Sequence, residues 1–232
     1  YGSNTPPPVG EALKRNFPEI VAYTRFYVMP REVMSNDASG KVQNHFTEKN
    51  FLAVDSNFLQ VFDYAFKEGN AASCFQQPHS IVLTESTAKK YFGNANALGK
   101  NLVLDEYQEP FAVTGVLKDL PSQASIRFNM LIPTAARPII KRFNWSWVWQ
   151  QVNTYVLLDK NFAPTRENIQ KLEAKFPAMI RTEAASGFKR IGKPIDEYFK
   201  NGGKWELHLQ PMTEVHLYSG AISSPFLTTL GD

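Results

Sequence analysis

The sequence is poor in cysteine: Cys74 is the only one in 232 residues. A single thiol excludes an intrachain disulfide framework and any zinc site built from several cysteines. No charge stands between Ala72 and Pro78 to activate it, so Cys74 is expected to be a buried structural thiol. Long apolar runs are also missing. Apolar stretches such as 111–113 and 155–158 are strand-sized, against the ~20 residues that span a bilayer. The chain by itself is therefore expected to be soluble. Charge of one sign is scarce too, since 25 Lys and Arg offset 22 Asp and Glu to leave +3. The basic residues are spread along the chain without a stripe or a reading motif, so no nucleic-acid partner is expected.

The motifs of common catalysts are absent as well. Gly99-Lys100 is followed by Asn101 and has no glycine five residues before Gly99, so there is no phosphate loop. Ser80 and Ser86 lack the Gly-x-Ser-x-Gly setting of a nucleophile elbow, and His79 beside Ser80 is mere adjacency. The histidines are His45, His79, His208 and His216; two lie near Glu206 and Glu214, which makes zinc conceivable. No His-Glu-x-x-His spacing puts two imidazoles on one helical face, however, and no metal or cofactor is expected. Asp105-Glu106 falls in a turn and is expected to be solvated. Nothing assembles an acid, a base and a nucleophile, and the chain is not expected to be an enzyme.

What remains is an ordinary globular composition, 43% hydrophobic with 13% aromatic residues to fill a core. The pattern predicts an α+β fold. A helix over 10–17 stops at Pro18, and strands follow at 20–29 and 41–54, the second broken near Glu48-Lys49-Asn50. Residues 31–40 are expected as a polar turn. Asp55 or Ser56 is the expected cap of a short helix carrying Phe58, Leu59 and Phe62. After the turn Gly69-Asn70, a strand at 79–84 leads into a helix from Thr84 or Glu85 that stops at Gly93. Strands at 101–104 and 111–117 are joined by a turn at 105–110. Residues 121–138 are mixed. A strand at 152–158, a helix over 165–176 ended by Pro177, and an alternating strand over 205–210 complete the last third.

Trp145, Trp147 and Trp149, at a spacing of two, are predicted to line one face of a strand. A buried or interface edge is the favoured reading, because aromatics fill cores more often than they make sites. The alternative is a carbohydrate- or lipid-binding strip, and the three are the tentative cargo or partner surface.

Several stretches, in order, resemble one family. They are Ala88-Lys89-Lys90-Tyr91-Phe92-Gly93 after the strand from Ser80, then Ala97-Leu98-Gly99-Lys100, then Val113-Thr114-Gly115-Val116. Supporting pieces are Asn16-Phe17-Pro18-Glu19-Ile20, Val54-Asp55-Ser56-Asn57-Phe58, Lys118-Asp119-Leu120-Pro121, and Leu209 to Tyr218. Together they resemble the extracytoplasmic domain of MacB/FtsX-like ABC transporter permeases, in the Bacteroidetes-type branch. The resemblance implies two subdomains, a porter-like βαβ half from residues 1–70 and 136–232 and a smaller sabre-like mixed α/β insert at 71–135.

It also implies a domain on the periplasmic face of the inner membrane, held between two membrane helices of the full-length permease. The implied partners are a cytoplasmic ABC ATPase subunit, a second permease copy that makes a dimer, and a periplasmic adaptor or cargo. The implied role is mechanotransmission in efflux, lipoprotein release or cell-envelope regulation. Both chain ends, 1–8 and 230–232, are expected to be cut points in the longer protein.

Overall fold

The computed structural model describes residues 4–29, 32–35, 45–104 and 109–214. In chain order the elements begin with α1 (Val9–Asn16), β1 (Ile20–Val28), β2 (Glu32–Ser35), β3 (His45–Glu48), β4 (Phe51–Val54) and α2 (Phe58–Val61). Next come β5 (Phe66–Glu68), β6 (Ser80–Thr84), α3 (Glu85–Phe92), β7 (Asn101–Leu104), β8 (Glu109–Leu117) and β9 (Met130–Pro133). The chain continues through α4 (Pro138–Phe143), β10 (Val152–Leu158), α5 (Arg166–Glu173), α6 (Phe176–Arg190) and α7 (Ile195–Lys200). These elements make two compact units, Thr24–Lys141 and a unit joining the chain up to Tyr23 with the chain from Arg142 onward. The class is mixed α/β with a mixed sheet.

In the Thr24–Lys141 unit the strand order is β1-β4-β9-β6-β8-β7-β2-β3, with β5 also on β8. The pairs β4–β9 and β6–β8 are parallel and the others antiparallel. Every residue of β4, β6 and β9 is buried. That explains their unbroken apolar runs, because a strand covered on both faces has no polar side to alternate with. Beneath the sheet Phe58 gathers the rings of Phe26, Phe62, Tyr64 and Phe128, with centroids at 4.8–6.3 Å.

The break expected at 48–50 is real: Asn50 turns the chain between β3 and β4 with φ +56. Several expectations change. Residues 31–40, expected as a turn, include strand β2, while 36–40 lie outside the described residues, as do 105–108 of the other predicted turn. β9, at the centre of the sheet, falls in the stretch expected to be mixed. The cap of α2 is Asn57. Asp55 is instead bound to Arg25, with Arg25 Nε 2.8 Å from Oδ2 and Nη2 3.1 Å from Oδ1.

In the unit made from both ends, α1 buries Val9, Ala12 and Leu13 against a cluster that includes Leu172, Phe176, Ile180, Ala184 and Phe188. The chain start is tied to β10 by Thr5, whose N–H donates to the Val152 carbonyl at 2.6 Å. Pro177 does not end a helix. α5 stops at Glu173, and Pro177 sits in the first turn of α6, where its missing N–H has no partner to lose.

The predicted strand over 205–210 is extended but joins no ladder among the described residues. Its alternation is still used: Trp205, Leu207 and Leu209 pack on the core, while Glu206, His208 and Gln210 are exposed. Side chains replace the missing strand partner. Trp205 Nε1 donates to the Trp147 carbonyl at 3.3 Å, and Glu173 Oε1 accepts the Leu209 N–H at 2.6 Å.

Candidate functional site

The segment most dense in sequence signals, 80–116, folds as β6, α3, a turn, β7 and β8. Thr84 caps α3, its hydroxyl accepting the Thr87 N–H, an arrangement that stabilises a helix start by about 1 kcal/mol. Asp119 reaches the same helix start and accepts bonds from the Ser86 N–H and hydroxyl. At the other end Gly93, at φ +62 and ψ −129, takes a conformation that side-chain-bearing residues avoid. Gly115 is needed for a different reason, since a Cβ there would stand 2.9 Å from the Phe66 ring. The Gly99-Lys100 turn is sewn to β8, with Gly99 N–H to Val113 O and Val113 N–H to Lys100 O both at 2.8 Å.

The polar members of the segment are also spent internally. Lys90 Nζ and the Tyr91 hydroxyl both lie 2.6 Å from Glu48 Oε1, and Glu48 is buried. Burial, and then the Glu48 carboxylate it donates to, push the Tyr91 hydroxyl far above its ordinary range, so it stays protonated. Lys90 also sits 4.4 Å over the Phe46 ring, and Lys100 5.1 Å over Phe92. Ser80, buried, donates its hydroxyl to the Gln77 carbonyl, while the His79 ring meets Phe111 edge-on at 5.2 Å. These two neighbours are therefore turned to separate structural tasks.

Beside α3 opens a cleft of about 430 Å³ whose lining includes Glu48, Asn50, Ser86, Lys90, Asp119 and Arg127. Its two carboxylates already take the Lys90, Tyr91 and Ser86 bonds, and of its α3 hydroxyls Ser86 donates to Asp119 while Thr87 is bonded to the Thr84 hydroxyl. The cleft has polar walls, and no histidine or cysteine is among its lining residues. Sequence reasoning missed Glu48 as the hub of this region; it was noted only as part of a strand break.

The conceivable zinc group looks different in space. His208 stands 3.6 Å from Glu173 and 3.8 Å from Glu206, all well exposed except Glu173. No cluster of three or more metal-binding side chains forms among the described residues, and His216 lies outside them.

Cys74 is 1% exposed, and burial pushes its thiol up to about 11. The thiolate is the reactive form, so at pH 8 only about one thiol in a thousand is poised to react. Native protein should therefore resist a thiol reagent such as dithionitrobenzoate at pH 8 and react within seconds once unfolded in guanidinium. Rapid stoichiometric labelling of the folded chain would refute the buried assignment.

The three tryptophans do not share a strand face, because 145–149 is a turn. The Ser146 hydroxyl causes it, accepting the Val148 N–H at 3.4 Å and the Trp149 N–H at 3.1 Å in place of a strand ladder. Trp147 is 3% exposed and packs in the core, 5.6 Å from Trp205. Trp145 and Trp149 are half-buried. Trp149 stacks on Phe143 at 5.1 Å, and Arg190 lies 4.0 Å over Trp145.

Comparison with known proteins gives a consistent picture. A family model described as "MacB-like periplasmic core domain" matches residues 1–172. Among solved structures, a domain assigned to a permease protein from Porphyromonas gingivalis is similar at TM-score 0.65 and 22% identity, covering 78% of each chain. The periplasmic region of MacB from Actinobacillus actinomycetemcomitans is similar at TM-score 0.55 and 19% identity, covering 76% of this chain and 74% of that one. Curated protein sequences give no match.

Proposed function

Because the chain belongs to the MacB-like periplasmic core domain family, we propose that it is the non-catalytic periplasmic domain of an ABC transporter permease, binding cargo or a partner protein and passing on ATP-driven motion. One observation carries the non-catalytic part: the signature residues of the 80–116 segment spend their polar groups on structural bonds, to Glu48, to Asp119 and along the Gly99-Lys100 turn. A scaffold used in this way moves as a body and leaves recognition to surfaces elsewhere. No described helix is long and apolar enough to cross a membrane, so spans of the full-length permease would lie outside these elements.

In this reading the porter-like half comes from 1–70 and 136–232 and the sabre-like insert is 71–135, a segment that falls wholly inside the compact unit Thr24–Lys141. The domain sits at the periplasmic face of the inner membrane. A second permease copy, a cytoplasmic ATPase and an adaptor or cargo complete the machine, which works in efflux, lipoprotein release or envelope regulation. Trp145 and Trp149 are the proposed contact surface, with Trp147 behind them in the core.

The chain, incubated with nucleotides and with generic ester, peptide and glycoside substrates, should turn over none of them. Turnover abolished by a single point substitution would sink the reading.

A further inference from the structure

Trp145 and the stacked pair Phe143–Trp149 each lie beside a cation. The Arg190 guanidinium is 4.0 Å from the Trp145 ring centroid, and Arg142 is 5.7 Å from the Phe143 ring on which Trp149 stacks. The two pairs are close neighbours: the tryptophans are four positions apart in the chain, so their Cα atoms are at most about 14 Å apart. The end of α6 abuts the same turn, since a Cβ on Gly187 would stand 3.2 Å from the Trp145 carbonyl oxygen. Next to these residues in the chain, Val148 is 44% and Ile191 39% exposed. Lys189 and Lys193 are exposed alongside.

Among the described residues, Arg142, Lys189, Arg190 and Lys193 have no carboxylate partner. Around Arg142 the sequence supplies none either, for no Asp or Glu occurs between Asp119 and Asp159, while the acids next after Lys193 are Asp196 and Glu197, the first of them paired with Arg181. The surface thus joins unneutralised positive charge to half-buried indoles and exposed aliphatic groups.

We propose that this patch docks its unit onto an anionic phospholipid surface. Indole rings and short aliphatic tips suit the boundary between headgroups and acyl chains, while guanidinium groups lying over the rings can meet lipid phosphates without leaving them. A sugar platform would use the rings but has no need of Val148 and Ile191, and cations without carboxylate partners match a negative surface. The proposal rests on the reading of Trp145 and Trp149 as contact surface. Its test uses neither cargo nor nucleotide, so its failure leaves the non-catalytic reading intact.

The test is sedimentation of the 232-residue chain with phosphatidylglycerol-containing vesicles and with pure phosphatidylcholine vesicles at low ionic strength. Binding to the first alone, with a blue shift of tryptophan emission, is expected. Arg142→Gln with Arg190→Gln should lower partition by about 25-fold, roughly fivefold per charge removed near the surface. Val148→Ser with Ile191→Ser, both exposed, should reduce the blue shift while circular dichroism stays native. Lys89→Gln with Lys118→Gln, in the other unit, should leave partition unchanged. Equal binding to neutral vesicles, no binding, or an equal loss in that control pair overturns the proposal. So does binding of soluble polyglutamate as strong as binding of vesicles, which would assign the patch to an acidic protein.

Discussion

Replacing Phe58 with alanine is expected to remove about 4 kcal/mol of stability. The ring is fully buried and is shared by four others: Phe62 at 4.8 Å, Tyr64 at 6.2 Å, and Phe26 and Phe128 at 6.3 Å. Truncation forfeits the burial of the ring and leaves a cavity that neighbours from three separate segments cannot close together. Domains of this size have roughly 5–15 kcal/mol in all, so the variant should be near its unfolding threshold. Urea titration of the far-ultraviolet circular dichroism would measure the change. A loss below about 2 kcal/mol would mean that the surrounding rings collapse into the space.

A second large effect is expected at Asp55, where alanine should cost about 3 kcal/mol. Its carboxylate accepts four donors: the Arg25 N–H at 3.0 Å, Arg25 Nε at 2.8 Å, Arg25 Nη2 at 3.1 Å and the Thr134 hydroxyl at 3.2 Å. Both side chains of the pair are only 13–14% exposed. Removing the acid takes its counter-charge from a guanidinium that water reaches poorly, which costs more than the bond itself was worth. Arg25→Ala should be comparable. The double variant should cost clearly less than the sum, with about 1–3 kcal/mol of coupling in a denaturation cycle. Additive losses would show that the two groups act independently.

Both residues were visible in the sequence, but only one of them in its role. Phe58 was expected on the buried side of a short helix, and it is there. Asp55 was expected as a helix cap, because the local signal of an acid before an apolar run is the same whether or not an arginine from another strand claims it. The same division runs through the fold. β6, α3 and β7 have the limits their local chemistry dictates, from Thr84 as cap and Gly93 as stop.

Long-range choices left no such trace. β9 is four residues ending in proline, and nothing in Met130–Pro133 announces that it will pair with a strand some 80 residues earlier. α6 was hidden by Pro177 at its start and Gly187 within it, two residues that usually argue against a helix. At the tryptophans the residues were legible and their geometry was not. The spacing of two suggested a strand face, but the Ser146 hydroxyl bends the chain, and the cation over Trp145 comes from a residue 45 positions later. The acid-free stretch around them was the available signal for a charged surface.

The unit built from both chain ends has a consequence for the order of events during synthesis. The Phe17 ring rests 5.2 Å from Phe176, so the apolar face of α1 leaves the ribosome well before its partner exists. At ordinary elongation rates the delay is roughly 10–30 seconds. The Thr24–Lys141 unit has its last strand by Pro133 and can fold within that interval. Until α6 arrives, the apolar residues of 9–16 are unshielded and too few to hold a helix alone, a ready client for holding chaperones. The middle of this chain can thus be finished while its beginning is still waiting.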